Sequence, residues 1–177
     1  MSKSHWVLDQ THSSIAFSVR HMMISNVRGT FENFSASVDA DPADLKNAEI
    51  TATIEAKSID THNADRDNHL RSDDFFQTDK FPEITFKSTE LNDHGKGKYT
   101  LQGTLTVCGV SNLVTLDCEV VGPANDPWGN ERIGVTATGD LNRKDFGLNY
   151  HAVLETGGVL VGESVKLSID MEFIKQA

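Results

Sequence analysis

Apolar and polar residues alternate with a period of two in one segment of this chain after another. In residues 101–107, for example, Leu101, Gly103, Leu105 and Val107 are separated by polar side chains. Successive side chains of a β-strand point to opposite faces, so each such run predicts a strand with one dry and one wet face. About eight runs occur, around residues 14–21, 36–38, 50–56, 84–86, 101–107, 114–120, 133–137 and 165–173.

Turn-forming residues separate these runs. Gly, Pro, Asn and Asp gather at residues 41–44, 92–97, 109–112 and 122–127, where hairpins need them. Short connections imply antiparallel neighbours, and one dry face per strand predicts a sandwich or a closed barrel. A turn at 109–112 would place Cys108 opposite Leu113 and Cys118 opposite Gly103. The two sulfurs would then be too far apart to bond, so two reduced, partly buried thiols are expected.

Two segments interrupt the alternation. In the first, Asp60 or Thr61 can cap a helix that runs through Leu70, and Ser72 or Asp73 can cap a single turn at residues 74–76. This predicts a short helical insertion near residues 61–76. In the second, residues 146–158, one helical turn is expected over 150–155, ended by two glycines. With no repeat or linker, residues 1–177 are expected to form a single domain.

Size and charge limit the function classes. A domain of 177 residues buries roughly 70% of its unfolded surface, enough for a core without metals or disulfides. The formal net charge of −10 repels polyanions and anionic bilayers at long range, so nucleic acid is not an expected partner. There is no apolar stretch long enough to insert stably in a membrane. The start lacks the apolar region of an export signal, which favours a cytoplasmic location.

Sequence signatures of catalysis are absent. The chain has no Gly-x-Ser-x-Gly, Cys-x-x-Cys or His-Glu-x-x-His motif and no phosphate-binding glycine loop. We therefore expect a non-enzymatic protein without a cofactor. An alternative is an enzyme acting at a barrel mouth with His21, His69 or His151 as general base. On a helix His62, Asp65 and His69 would share one face that could bind a divalent metal, but we favour no metal site.

The order of motifs along nearly the whole chain resembles the YceI-like family. These motifs are Trp6 to Asp9, His12-Ser13, Phe17-x-Val19-x-His21, Arg28-Gly29-x-Phe31, Ser58 to Thr61, Arg66 to Ser72, Asp74 to Phe76, Phe81-Pro82-x-Ile84-x-Phe86, Gly103-x-Leu105-Thr106, Asn142 to Leu148 and Val161-Gly162. The resemblance implies an all-β fold, namely an extended lipocalin-like eight-stranded antiparallel β-barrel. It also implies binding of a polyisoprenoid or another long-chain amphiphile in an internal tunnel. Many members of this family carry an export signal, and none is visible here.

The apolar face of the strands is the expected ligand site. An eight-stranded barrel is just wide enough to be filled by side chains or to hold one slender ligand. Small inward residues, namely Ala36, Ala52, Gly103, Ala137 and Gly139, favour a cavity. The residues expected to line the tunnel are Phe17, Val19, His21, Phe31, Ile54, Phe75, Phe76, Ile84, Phe86, Leu101, Leu105, Leu116, Val135, Phe146, Leu167 and Ile169.

Four basic residues are candidates for contacting a ligand headgroup: Arg66, His69, Arg71 and Arg143. A guanidinium group suits a phosphate because it donates two parallel hydrogen bonds. The alternatives are a structural role for the residue 61–76 insertion and, for Arg143, an ion pair with a carboxylate such as Asp145. The expected function is carriage or sequestration of a long isoprenoid or fatty-acid-like molecule, of the quinone or prenyl phosphate type. The competing function is a filled barrel that serves as an interaction module, and a homodimer is compatible with either.

Overall fold

The computed structural model describes residues 3–22, 24–149 and 161–177. The described chain forms one antiparallel sheet and one α-helix, α1 (Ala64–Arg71). The strands are β1 (Ser4–Leu8), β2 (Ser14–His21), β3 (Ser25–Phe31), β4 (Phe34–Asp41), β5 (Asp44–Glu55), β6 (Ile59–Asp60), β7 (Glu83–Asp93), β8 (Lys98–Val107), β9 (Val110–Asn125), β10 (Glu131–Asn142) and β11 (Val161–Lys175). Short 3₁₀ turns lie at Gln10–His12, Ala56–Ser58 and Arg143–Phe146.

The sheet closes on itself as a barrel of eight strands. The pairing runs β1–β4–β5–β7–β8–β9–β10–β11 and returns from β11 to β1. β2 continues the line of β1, because both pair with β11. β3 likewise continues into β4, and β5 continues into β6 after the 3₁₀ turn at Ala56–Ser58. The prediction of an eight-stranded antiparallel barrel with a short helical insertion is confirmed.

The β8–β9 hairpin is tighter than the sequence predicts. Val107 pairs with Val110, so the turn consists of Cys108 and Gly109, with φ of 52° and 74°. Positive φ at both positions is the requirement of a type I′ hairpin. The expected turn at 109–112 is therefore wrong, and Cys118 faces Tyr99 instead of Gly103. Both cysteines are free thiols, as expected.

The β9–β10 turn also lies later than expected. β9 continues through residues 122–125, and the turn spans residues 126–130. The Asp126 carboxylate accepts hydrogen bonds from the backbone N–H groups of Trp128 and Asn130, both at 2.9 Å. Because the Asp126 carboxylate binds two amides of the turn, it stabilises a turn that begins at residue 126, and strand pairing continues up to that point.

The helical insertion begins later than predicted. Asn63, not Asp60 or Thr61, caps α1, and its Oδ1 accepts from the Arg66 N–H at 3.0 Å. Asp60 instead ends β6. Residues 73–76 form a turn and not a helical segment. The helical turn expected over 150–155 lies outside the described residues.

Apolar side chains fill one end of the barrel. Trp6 is fully buried and packs with Ile133 and Phe173. Its indole N–H points to the Ala40 carbonyl at 3.4 Å. This cluster plugs the end where β1 meets β11. Within the described residues, no helix is long and apolar enough to cross a bilayer.

Candidate functional site

The barrel interior contains a partly open cavity of about 260 Å³, and the atoms that face the void are apolar. Side chains from β2 through β11 line it, together with residues of the helical insertion. A cavity of about 150 Å³ lined by Leu, Ile and Phe stays dry and takes up benzene, and small-molecule pockets range from roughly 300 to 1,000 Å³. The interior is therefore hollow, and its volume lies just below the usual range for ligand sites.

All but one of the residues predicted to line the tunnel lie on the cavity wall. These are Phe17, Val19, Phe31, Ile54, Phe75, Phe76, Ile84, Phe86, Leu101, Leu105, Leu116, Val135, Phe146, Leu167 and Ile169. His21 is not on the wall and lies half-buried at the end of β2. That these residues bind a ligand stays a prediction.

Many other residues of the wall were not among the predicted ones. They are Ile15, Val38, Ile50, Ile59, Leu70, Val107, Val114, Cys118, Leu141, Leu148, Val161, Val165, Met171 and Phe173. Most of them continue the alternation of a strand, which is a signal in the sequence. Ile59, Leu70 and Leu148 lie outside the alternating runs and carry no such signal.

The alanines and glycines on the inner face differ in whether they leave open space in the cavity. Ala36, Ala52 and Ala137 line the cavity, as expected of small inward residues. Gly103 and Gly139 do not, because neighbouring side chains fill the space above them. The Phe86 ring lies over Gly103, and a Cβ on Gly139 would be 2.6 Å from Leu116 Cδ2. The expectation that these two glycines open the cavity is wrong.

Phenylalanine rings line the wall near the helical insertion. The centroids of Phe17 and Phe31 are 5.6 Å apart, and Phe76 meets Phe31 edge to face at 5.9 Å. Such tilted and edge-to-face pairs add about 0.5–1.5 kcal/mol beyond the burial of their area. The helical insertion thus covers this end of the cavity with aromatic rings.

Arg66 holds the segment that leads into α1. Its Nε donates to Thr61 Oγ1 and its Nη2 to the Thr61 carbonyl, both at 2.8 Å. The Thr61 hydroxyl in turn donates to Asp67 Oδ1 at 2.5 Å, and both Thr61 and Asp67 are buried. Two of the guanidinium nitrogens thus already bind protein oxygens beside the insertion.

Arg71 and His69 also have partners within the protein. Arg71 donates from Nε to the Lys57 carbonyl at 2.9 Å and from Nη2 to the Ile59 carbonyl at 3.1 Å. His69 Nε2 lies 2.8 Å from Asp74 Oδ2. His62 has a φ of 61° and precedes the cap of α1, so His62, Asp65 and His69 do not share one helical face. The geometric basis for a metal site at these three residues is therefore wrong.

Arg143 is buried and bonds to main-chain carbonyls, not to a carboxylate. Its guanidinium donates to Gly162 at 2.8 Å, Leu148 at 2.5 Å and Val161 at 3.2 Å. Burial lowers the pKa of Arg143, although the nearby charge of Glu163 opposes this. The expected ion pair with Asp145 is wrong. Two of the three bonds join the 3₁₀ turn after β10 to the first residues of β11, and the third holds Leu148 just after the turn.

A cluster of ionised groups lies where β1, β10 and β11 meet. Arg132 Nη1 is 2.7 Å from Asp9 Oδ2 and 3.3 Å from Glu172 Oε2, and Arg132 Nε is 2.7 Å from Asp126 Oδ2. Asp9, His12 and Glu172 together present oxygen and nitrogen atoms in a group that could hold a metal ion. The Arg132 cation already lies against two of these ligands, which disfavours a second cation there. The cluster therefore fits a structural role, in which ion pairs join the strands at the closure of the barrel.

The fold recurs among solved structures. The YceI protein of Campylobacter jejuni superposes with a TM-score of 0.78 at 34% identity, covering 89% of this chain and 90% of that one. A polyisoprenoid binding domain from Saccharophagus degradans has the same fold, with a TM-score of 0.70 at 16% identity, covering 97% and 98%.

Relatives and a family model agree with the structural comparison. A UPF0312 protein of Staphylococcus epidermidis is 42% identical over 93% of this chain and 94% of its own length. The model of the YceI-like domain matches residues 6–173. The chain therefore belongs to the YceI-like domain family.

Proposed function

We propose that this protein binds the hydrocarbon chain of a long amphiphilic lipid, of the polyisoprenoid class, inside the barrel and carries or sequesters it. The observation that carries the proposal is the apolar cavity, which receives side chains from every strand except β1. Water inside a void with apolar walls finds no hydrogen-bond partners on the walls, so the void favours a hydrocarbon occupant. The name of the Saccharophagus degradans domain, which shares the fold, points to the same ligand class.

The energetics require a long chain. Each methylene withdrawn from water contributes roughly 0.8 kcal/mol, so ten buried carbons supply about 8 kcal/mol, close to the free energy of a micromolar complex. Association itself costs about 4 kcal/mol or more. A short chain therefore binds weakly, and tight binding needs more than about ten buried carbons. We expect the flexible side chain of Met171, which lies on the wall, to move and lengthen the cavity.

Organic extraction of the purified protein, followed by mass spectrometry, tests for a lipid acquired in the host. Titration with prenols of increasing length tests binding directly. We expect Ala137→Phe to weaken binding at least about tenfold, because Ala137 is buried on the cavity wall. Thr138→Phe is the matched control, since the adjacent Thr138 is exposed on the outer face.

A second variant covers the case in which Ala137→Phe fails to fold. Ala52→Leu narrows the cavity from the opposite part of the wall and adds less volume. Melting temperatures identify variants that fold. A wild-type protein that binds no prenol of any length, or folded cavity variants that bind as well as the wild type, would overturn the proposal.

A further inference from the structure

The hairpin between β2 and β3 exposes apolar side chains at its tip. Ile24 is 78% exposed and Met22 is 39% exposed. Large apolar side chains exposed together on one hairpin tip are typical of a protein or membrane contact. We propose that this hairpin docks the barrel on the surface of a lipid bilayer that contains anionic headgroups. The inference rests on the proposed function, because it identifies the phase from which the barrel takes its ligand.

The charge around the tip favours such a surface. Residues 14–31, which form β2, the tip and β3, contain Arg20, His21 and Arg28 but no Asp or Glu. Arg20 and Arg28 are both exposed. In a chain with a net charge of −10, this hairpin is a basic segment that an anionic surface attracts at short range.

The geometry suits a shallow insertion. Arg28 pairs with Ser18 and Arg20 with Asn26, so both arginines lie behind the tip along the hairpin. At about 3.3 Å per residue, Arg28 is roughly 13 Å behind Ile24. An apolar segment buried about 5–10 Å into the interface would leave Arg28 at headgroup level. The apolar tip and the basic groups can therefore act together.

The hairpin is also connected to the cavity. Val19 lies on the cavity wall three residues before Met22, and Val161, which pairs with His21, lies on the wall as well. The apolar surface thus continues from the hairpin into the barrel interior. A hydrocarbon chain that leaves the bilayer at the docked hairpin meets this surface first.

Trp128 provides a matched control on the other end of the barrel. It is 81% exposed in the β9–β10 turn. Arg132, just after that turn, pairs with Ile174 near the end of β11, whereas His21 pairs with Val161 at its start. Trp128 is therefore an equally exposed apolar residue far from the hairpin.

The test is flotation of the full chain with vesicles of phosphatidylcholine, with and without phosphatidylglycerol. We expect the wild type to float with the mixed vesicles and less so at high salt. Ile24→Ser should weaken this binding about tenfold, and Arg28→Gln should weaken it only on mixed vesicles. Trp128→Ser should bind like the wild type. The inference would be overturned by a wild type that does not float, an outcome that would point to a protein partner for the hairpin instead. It would also be overturned if Ile24→Ser and Trp128→Ser weakened vesicle binding equally.

Prenol binding in detergent-free solution separates this inference from the proposed function. Ile24→Ser should bind, with the affinity of the wild type, the prenol length that the wild type binds in titration, because Ile24 is not on the cavity wall. Ala137→Phe should float normally while it binds prenol at least about tenfold more weakly than the wild type. A wild type that binds prenol but does not float with vesicles contradicts membrane docking and leaves the proposed function standing. A wild type that floats but binds no prenol contradicts the proposed function and leaves docking standing.

Discussion

The ring of Phe86 occupies the space that a side chain at Gly103 would need. A Cβ built on Gly103 overlaps the ring and comes within 2.8 Å of the Lys87 carbonyl oxygen. Both residues face the barrel interior, on the paired strands β7 and β8. The glycine therefore determines where an aromatic wall residue lies, and with it the shape of the cavity.

Gly103→Ala should destabilise the protein because the added methyl group forces Phe86 to move. Overpacking of this kind costs about 1–3 kcal/mol, measurable as a lower midpoint of urea unfolding. Gly134→Ala is the control, since the only atom near a Cβ at that position is the Val121 carbonyl oxygen at 4.0 Å. We expect the control to change stability by less than about 0.5 kcal/mol. Equal stability of the two variants would contradict the close fit of Phe86 on Gly103.

Arg143→Met should destabilise the protein more strongly. The substitution leaves the carbonyls of Leu148, Val161 and Gly162 without the donors that they have in the wild type. Leaving buried acceptors unpaired costs about 1–3 kcal/mol each, so a loss of at least about 2 kcal/mol is expected in urea unfolding. Lys144→Met should cost less than about 1 kcal/mol, because it breaks an exposed ion pair with Glu163. If Arg143→Met lowered the free energy of unfolding no more than Lys144→Met, the hydrogen bonds of Arg143 would not stabilise the fold.

The cluster around Arg132 predicts a loss of stability in acid. Burial raises the pKa of Asp126, but hydrogen bonds from Arg132, Asn130 and Trp128 outweigh this and lower it to about 2. Hydrogen bonds from His12 and Arg132 lower the pKa of Asp9 as well. A carboxylate with a depressed pKa in the folded state stabilises the protein above its unfolded pKa, near 4. That stability is lost as the pH falls from about 4 toward 2.

Unfolding by urea between pH 6 and 2 measures this dependence. Arg132→Met should be less stable near pH 6 and should show a shallower decline below about pH 4 than the wild type. Lys3→Met removes an exposed pair with Glu49, at 3.3 Å, and should leave the profile unchanged. Parallel profiles for the wild type and Arg132→Met would contradict the assignment.

Cys118 should react slowly with thiol reagents while the protein is folded. Burial, together with the nearby Asp117 carboxylate, raises the pKa of Cys118 to about 11. The ordinary pKa of this thiol is 9.0, so at pH 8 the folded protein holds roughly 100-fold less thiolate at this position. In the Cys108→Ser background, labelling should be at least about 100-fold slower than in denaturant. Rapid labelling of the folded protein would show that the thiol is open to solvent.

Much of the fold could be predicted from local patterns. Alternation locates the strands, and it identifies wall residues such as Phe17 and Leu105, because side-chain direction depends only on position along a strand. The ends of elements were less predictable. The β8–β9 turn depends on a positive φ at Cys108, a residue type that does not mark such a turn. The start of α1 depends on which of several polar residues, finally Asn63, reaches the helix amides.

The partners of charged residues could not be predicted at all. Arg143 is followed two positions later by Asp145, yet its guanidinium binds three carbonyls, two of them from β11. Arg132 joins Asp9 over 123 positions in the chain. Such pairs depend on how the barrel closes, and many closures place a different carboxylate or carbonyl within reach of the same arginine.

The sequence by itself determined that this chain forms antiparallel strands with one apolar face each, because the period of two is a local property of the chain, and it left open whether they build a sandwich or a barrel. Only the tertiary structure decided that the barrel is hollow. A cavity is the small difference between the space that eight strands enclose and the volume of the side chains that point into it. Register and rotamers set that difference, so Phe86 fills the space over Gly103 while Ala137 leaves its space open.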